Sequence, residues 1–287
     1  MILVTAATGQ LGTATVNYLL EKIPASQIAV LARDADKAKD FADKGISVRI
    51  GNYHDYESLV PAFKGVEKLL LISSNDFEDR AGQHINAIKA AKEAGVKHIA
   101  YTSVEATDPR NSATGVVGTS HADTDDFLKA SGLTYTLLKD NLYADVIPMF
   151  VGDQVLTTGV FFPAGDGKVP FATREDMALA AAVVLTTEGH ENKEYVIAND
   201  ESWSFADVAQ YISEVSGVEV TYTSPDAEVY KKVLEDAGVP DIYVWMLGAF
   251  AKAIKDHEFE TGKSDLEQLI GKKPTTLKEY LATVYGK

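Results

Sequence analysis

The densest chemical signal lies near the start of the chain. The run Thr5-Ala6-Ala7-Thr8-Gly9-Gln10-Leu11-Gly12 follows a short apolar segment and precedes a helical pattern. Glycines at such a junction allow a tight turn and close approach of a ligand to the backbone. The first N–H groups of a helix lack partners and carry positive partial charge. Together these bind phosphate. Gly9 suits approach by a pyrophosphate, and Gly12 suits close packing of helix on sheet. Ala6, Thr8, Gln10 and Leu11 complete the candidate cradle. Ala6 stands where loops of this kind usually carry glycine, and its methyl is tolerated if φ is negative.

Roughly 20 residues further on is where the adenosine ribose of a dinucleotide lies in such a fold. The residues there are Leu31-Ala32-Arg33-Asp34. An acidic residue would hold the ribose hydroxyls of NAD, whereas an arginine pairs with the 2′-phosphate of NADP. Arg33 therefore points to NADPH in preference to NADH, and Asp34 is expected to cap the helix that follows. Ser73 and Ser74 end another apolar run and are candidates to bond ribose or phosphate oxygens.

A Tyr-x-x-x-Lys pair on one helix would mark proton transfer to an alcohol or ketone. Tyr18 and Lys22 have the spacing but lie at the far end of the first helix. Tyr135 and Lys139 fall in a predicted strand, where four residues span roughly 13 Å rather than about 6 Å. Where the pair belongs, His121 takes the lysine slot and Val117 the tyrosine slot. Two options remain: direct hydride transfer to an acceptor that needs no strong acid, or cofactor binding without catalysis. His121 is a candidate proton donor, because histidine titrates near neutrality. Ser103, at a strand end, is a candidate substrate contact. His84, His190, Trp203 and Trp245 are read as structural, and no cluster of histidines or carboxylates suggests a metal.

These residues need a scaffold, and the first half of the chain supplies its pattern. Short apolar runs occur at Ile2–Thr5, Ile28–Leu31, Val48–Ile50, Leu69–Ile72, Ile99–Tyr101 and Thr134–Leu138. Helical patterns lie between them at Leu11–Lys22, Ala35–Lys44, Tyr56–Phe63, Ala81–Ala94 and Ala122–Ala130. Unbroken apolar strands alternating with helices predict a parallel sheet covered on both faces. Gly45, Gly65, Gly95 and Gly132 each follow a helical stretch, where a left-handed residue is wanted. The expected architecture is α/β: a Rossmann-type doubly wound parallel sheet over residues 1–150, with a smaller α/β substrate-covering region over 151–287. That boundary is soft, since the helix Arg174–Thr187 can pack back on the sheet. A hairpin is expected around Gly159–Phe162 and strands at Tyr195–Ile197 and Val218–Thr223.

The chain has 287 residues, no cysteine and a formal net charge of −15. The charge argues against a nucleic-acid surface. The absence of cysteine removes disulfides and thiolate chemistry. No apolar run is long enough to span a bilayer, so no membrane role and a cytoplasmic location are expected.

Several blocks resemble the NmrA-like branch of the atypical short-chain dehydrogenases/reductases, especially its quinone- and triphenylmethane-reducing members. They are the loop Thr5–Gly12, Pro24–Ile28, Val66–Ser73, Ala94–Ser103, Glu188–Lys193 and Leu269–Gly271. The resemblance implies a small C-terminal domain over a cleft, and flavin-free reduction by NADPH. It implies cofactor contacts at the glycine loop, Arg33, Ser73 and Ser74. It also implies that Lys139-Asp140-Asn141-Leu142-Tyr143 lies near the nicotinamide, with Lys139 and Asp140 in place of the family's arginine and asparagine. Tyr143 then becomes a candidate to shape the pocket and donate a hydrogen bond. The expected activity is NADPH-dependent reduction of a quinone or similar conjugated small-molecule acceptor, by a monomer or homodimer. The alternative is a regulatory protein that senses NADP redox state.

Overall fold

The computed structural model describes residues 1–286. Its strands are β1 (Ile2–Val4), β2 (Ile28–Ala32), β3 (Ser47–Ile50), β4 (Lys68–Leu71), β5 (His98–Val104), β6 (Thr134–Asp140), β7 (Val160–Phe161), β8 (Lys193–Ile197) and β9 (Tyr222–Thr223). Its helices in the first half are α1 (Gln10–Lys22), α2 (Lys39–Asp43), α3 (Tyr56–Ala62), α4 (Arg80–Ala94) and α5 (Val116–Ala130). In the second half they are α6 (Ile147–Val151), α7 (Val155–Thr158), α8 (Arg174–Thr186), α9 (Phe205–Ser216), α10 (Ala227–Asp236), α11 (Asp241–Lys255), α12 (Leu266–Ile270) and α13 (Leu277–Tyr285).

Seven strands form one sheet in the order β3-β2-β1-β4-β5-β6-β8, and every pairing is parallel. The unbroken apolar strands follow from this. Leu69 and Leu71 of β4 enter the core beside α3 and α4, while Leu70 between them enters the opposite core with α1 and α8. Both faces are covered, so alternation has nothing polar to show. The alanines of α8, including Ala178, Ala181 and Ala182, let it lie closely against α1. The glycines expected to end helices, Gly45, Gly65, Gly95 and Gly132, all have positive φ.

The return of helix 174–187 to the sheet, for which the soft boundary allowed, occurs: α8 packs on α1, and β8 pairs with β6 as the seventh strand. Two expectations need correction. The segment 159–162 is not a hairpin; β7 pairs in parallel with β9, and β9 is shorter than the strand expected from Val218. Helix α5 begins at Val116, a turn and a half before the expected start. Val116, Val117, Gly118 and Thr119 are weak helix formers, and packing overrides that preference. A β-carbon on Gly118 would lie 2.3 Å from the Pro109 carbonyl oxygen, so only glycine lets the helix pass there.

The remaining elements build a third core over the C-terminal edge of the sheet. Its centre is aromatic: the ring centroids of Phe150 and Phe162 are 5.1 Å apart, and those of Phe162 and Phe205 are 4.6 Å apart. Ser204 and Asp207 form a capping box that starts α9 beside this cluster. Among the described residues, no helix is long and apolar enough to cross a membrane.

Candidate active site

The strand order reverses between β1 and β4, and loops leaving those two strands diverge to opposite faces. Ligands of open α/β sheets bind in the crevice this creates. Here it is a cleft of about 560 Å³. One end is lined by the glycine loop, Arg33 and the loop after β3; the other by Ser103, Val117, His121, Asp140 and Tyr143.

Ala6, Thr8, Gly9, Gln10, Leu11 and Gly12 all line the cleft. Helix α1 starts at Gly9 with no side-chain cap and no acidic residue in its first turn. Its leading N–H groups are therefore free for an anion. A β-carbon on Gly12 would meet the Ala6 carbonyl oxygen at 2.6 Å, which accounts for the glycine. Ala6 itself has φ +46°, so the condition under which its methyl is tolerated, a negative φ, is not met. The turn keeps the left-handed geometry that glycine would adopt freely, and alanine holds it under strain. The Ala6 carbonyl still accepts the Gly9 N–H at 3.0 Å, closing the loop.

Arg33 is exposed at the cleft mouth after β2, where a 2′-phosphate would be met. Asp34 Oδ1 accepts the Asp36 N–H at 2.9 Å, but the short 3-10 turn Asp36–Ala38 is capped at Ala35 and α2 begins only at Lys39, so Asp34 is not the helix cap expected of it. Ser73 and Ser74 line the cleft. The Ser74 hydroxyl is engaged in its own loop: it donates to Gln83 Oε1 at 2.9 Å and accepts the Asp76 N–H at 3.1 Å.

The segment after β6 divides by strand parity. Asp140 lines the cleft, but Lys139 points to the opposite face and pairs with Glu194 at 3.3 Å. The cofactor contact implied for Lys139 is thus not formed. Asn141 lines the cleft, yet its amide donates to the Phe259 carbonyl at 3.0 Å and its oxygen accepts the Leu142 N–H at 2.8 Å. It ties β6 to the loop after α11. Asp140 is buried with no cation beside it among the described residues, and burial holds its carboxyl well above the usual carboxylate range. When protonated, Asp140 offers one donor and one acceptor, as the family's asparagine amide would. Tyr143 Oη donates to Asp140 Oδ2 at 3.4 Å, and the Arg174 guanidinium lies 4.6 Å from the Tyr143 ring centre.

Val117 and His121 lie one turn apart on α5 and both line the cleft. His121 cannot act as the proton donor expected of it. Burial, then the charge of Arg80 and the neighbouring His84, hold it far below the ordinary histidine range. Its tautomer follows from donors that cannot change. Arg80 Nη2 donates to His121 Nε2 at 3.0 Å, so the proton sits on Nδ1, which faces Tyr101 Oη at 2.9 Å. Likewise the Ser74 N–H donates to His84 Nε2 at 2.8 Å, leaving the proton on the Nδ1 that faces Thr124 Oγ1 at 3.0 Å. Both rings are neutral and structural.

Ser103 lines the cleft and donates to Asp125 Oδ2 at 2.8 Å. Sequence reasoning missed Arg80 and Asp125. Arg80 is 5% exposed and donates to the Ser74 carbonyl at 2.6 Å and Ser120 Oγ at 2.6 Å. Among the described residues it has no carboxylate within ion-pair distance, so the cleft wall carries an uncompensated positive charge. A signal existed: a cation opening a helix opposes the helix dipole, and Arg80 is the first residue of α4.

Comparison with known proteins places this geometry. The chain is 41% identical over 288 residues to quinone oxidoreductase 2 of Escherichia coli (strain K12), covering 100% of this chain and 99% of that protein. The NADP(H) complex of Citrobacter sp. triphenylmethane reductase superposes with a TM-score of 0.92 at 40% identity, covering 99% of this chain and 100% of that one. The NAD(P)H azoreductase of Xenophilus azovorans is 29% identical over 243 residues, 84% of this chain and 82% of that protein. The model of the NmrA-like family matches residues 1–281. A dinucleotide cradle at the switch point and a match running nearly end to end agree, and the chain belongs to the NmrA-like family.

Proposed function

We propose that this protein is a flavin-free, NADPH-dependent reductase of quinones and similar flat, conjugated electrophiles. The observation that carries the reading is the composition of the cleft. Its cradle end offers free helix N–H groups and Arg33 to a phosphorylated dinucleotide. Its other end is roofed by Leu142, Val146, Met149, Phe150, Met246 and Phe250. An apolar, aromatic roof over a buried polar wall suits a planar acceptor better than a sugar. The named activities of the relatives, on quinone, triphenylmethane and azo compounds, support the same class.

NADPH, when bound, supplies a hydride. The residues supply placement, which is most of what hydride transfer needs. Thr8–Gly12 and Arg33 would hold the phosphates, and Ser73, Asp140 and Tyr143 would border the nicotinamide. The apolar roof excludes water, and Arg80 favours negative charge growing on the acceptor. We place this activity in the cytoplasm, in a monomer or homodimer acting on a small-molecule acceptor without nucleic acid or membrane.

The test is NADPH oxidation by the purified protein against a panel of quinones and a cationic triarylmethane dye, with NADPH binding titrated in parallel. Turnover is expected with at least one acceptor class. Tight NADPH binding without turnover on any of them would overturn the reductase reading in favour of an NADP sensor.

A further inference from the structure

Quinone reduction takes up two electrons and two protons. A hydride brings both electrons and one proton, so a second proton must reach the acceptor in the cleft. The expected donor, His121, is neutral and tied up at both nitrogens. We propose that Ser103 and Asp125 form the proton relay of this site, with Ser103 touching the acceptor oxygen and Asp125 recharging Ser103 from behind; the inference rests on the reductase reading above.

The geometry carries it. Ser103 is the penultimate residue of β5, with its hydroxyl in the cleft wall, 2.8 Å from Asp125 Oδ2 on α5. Asp125 is 9% exposed, and its other oxygen, Oδ1, is buried and has no hydrogen-bond partner among the described residues. As a carboxylate, Asp125 would leave a charged oxygen unpaired in the interior, which is costly. With the proton on Oδ2, the orphan is only a carbonyl oxygen. Asp125 then donates to Ser103 Oγ, and the serine O–H is released to point into the cleft. Protonation of Asp125 thus converts Ser103 from an acceptor facing the acceptor molecule into a donor.

The charged and titratable groups that act on Asp125 are Lys139 of β6, Lys129 of α5, Glu194 of β8 and Tyr101 of β5. Glu194 is shared by both lysines, at 2.6 Å from Lys129 and 3.3 Å from Lys139, which blunts their effect on Asp125. Burial dominates and pushes the Asp125 carboxyl up to about 6. A group titrating there can give up its proton and regain it near neutrality.

The step balances. As hydride adds to the quinone, the oxyanion takes the proton from Ser103 Oγ: that O–H bond breaks and the hydroquinone O–H forms. The Asp125 Oδ2–H bond breaks in turn and restores the serine hydroxyl. The Asp125 carboxylate left behind recovers a proton from water. Reduction of a cationic triarylmethane dye differs in one respect. Hydride neutralises the cationic carbon and no second proton is consumed.

That difference is the test. Wild type, Ser103→Ala, Asp125→Asn, Asp125→Glu and Asp140→Asn are assayed at saturating NADPH with a quinone and with a cationic triarylmethane dye. The ratio of quinone to dye turnover should fall about 10-fold or more in S103A and D125N, and D125E should restore most of it. Wild-type quinone turnover should decline as pH rises through about 6, with that limb absent in D125N. Without any cofactor, a side-chain carboxyl 13C resonance should titrate near 6, vanish in D125N and shift in S103A. An unchanged ratio in D125N, a ratio lost in D140N instead, or no such carboxyl resonance would overturn the relay. Wild type inactive on both acceptors would overturn the reductase reading and the relay with it, whereas active wild type with an unchanged ratio sinks the relay alone.

Discussion

The carbonyl oxygen of Ala6 stands 2.6 Å from the point where a β-carbon on Gly12 would lie, and Ala6 itself is left-handed at φ +46°. The two positions make opposite demands. Gly12→Ala must push the loop off the helix, and we expect it to abolish measurable NADPH binding and lower the melting temperature. Ala6→Gly relieves about 1–2 kcal/mol of backbone strain, offset by about 0.5–1 kcal/mol of added chain entropy. A6G should therefore melt higher by a degree or more and bind NADPH at least as tightly. Paired thermal melts and NADPH titrations decide this, and a destabilised A6G would mean that the loop is not strained as described.

Arg33 is exposed at the cleft mouth in the place where the 2′-phosphate is met. A charge-assisted bond to phosphate is worth about 1.5–3 kcal/mol, or roughly 10- to 150-fold in affinity. Arg33→Ala should weaken NADPH by about that factor and change NADH by less than about threefold. Titration of both dinucleotides checks it; equal losses for the two would remove the basis for the cofactor preference.

The sheet and cradle were legible because they repeat a local rule: an apolar run, a turn, a helix and a glycine with positive φ. What could not be read were features set by neighbours distant in sequence. The parity of β6 sends Asp140 to the cleft and Lys139 to Glu194, and a period of two could have separated them where the resemblance joined them. Ser103 was found by its place at a strand end, but its partner Asp125 lies 22 residues on and meets it only through the packing of α5 on β5. His121 was visible by slot, yet its protonation depends on Arg80, 41 residues earlier. The true extent of α5 was hidden because its first turn is made of β-branched residues and glycine, held by packing rather than propensity.

Burial holds the Asp140 carboxyl well above the usual carboxylate range, and for its protonated form Asp140→Asn exchanges one uncharged hydrogen-bonding group for another. NADPH binding should survive. Stability should not stay constant relative to wild type. The folded state binds a proton at Asp140 that the unfolded chain has released above about pH 4, so wild type pays increasingly as pH rises. D140N escapes that cost. Its stability advantage should grow as pH rises above about 4, by up to about 1.4 kcal/mol per pH unit until the folded-state carboxyl ionises, read from urea unfolding at each pH. An advantage independent of pH would show that Asp140 is ionised in the fold.

Buried neutral histidines make the opposite prediction at low pH. His84 is fully buried, and burial followed by the charge of Arg80 lowers its pKa to about 3. An unfolded histidine takes up a proton below about pH 6.5. The stability that neutral His84 contributes is therefore complete above that pH and is lost as pH falls toward the folded value. Between pH 7 and pH 5 the loss from this one residue is about 2 kcal/mol. His84→Gln keeps an oxygen to accept the Ser74 N–H and an amide to reach Thr124, the two shorter of the bonds His84 makes, at 2.8 and 3.0 Å. H84Q should therefore lose about 2 kcal/mol less than wild type over the same interval, whatever its stability at pH 7. Equal losses in the two proteins would mean that His84 is protonated within the fold, and the tautomer assigned from the Ser74 amide would be wrong.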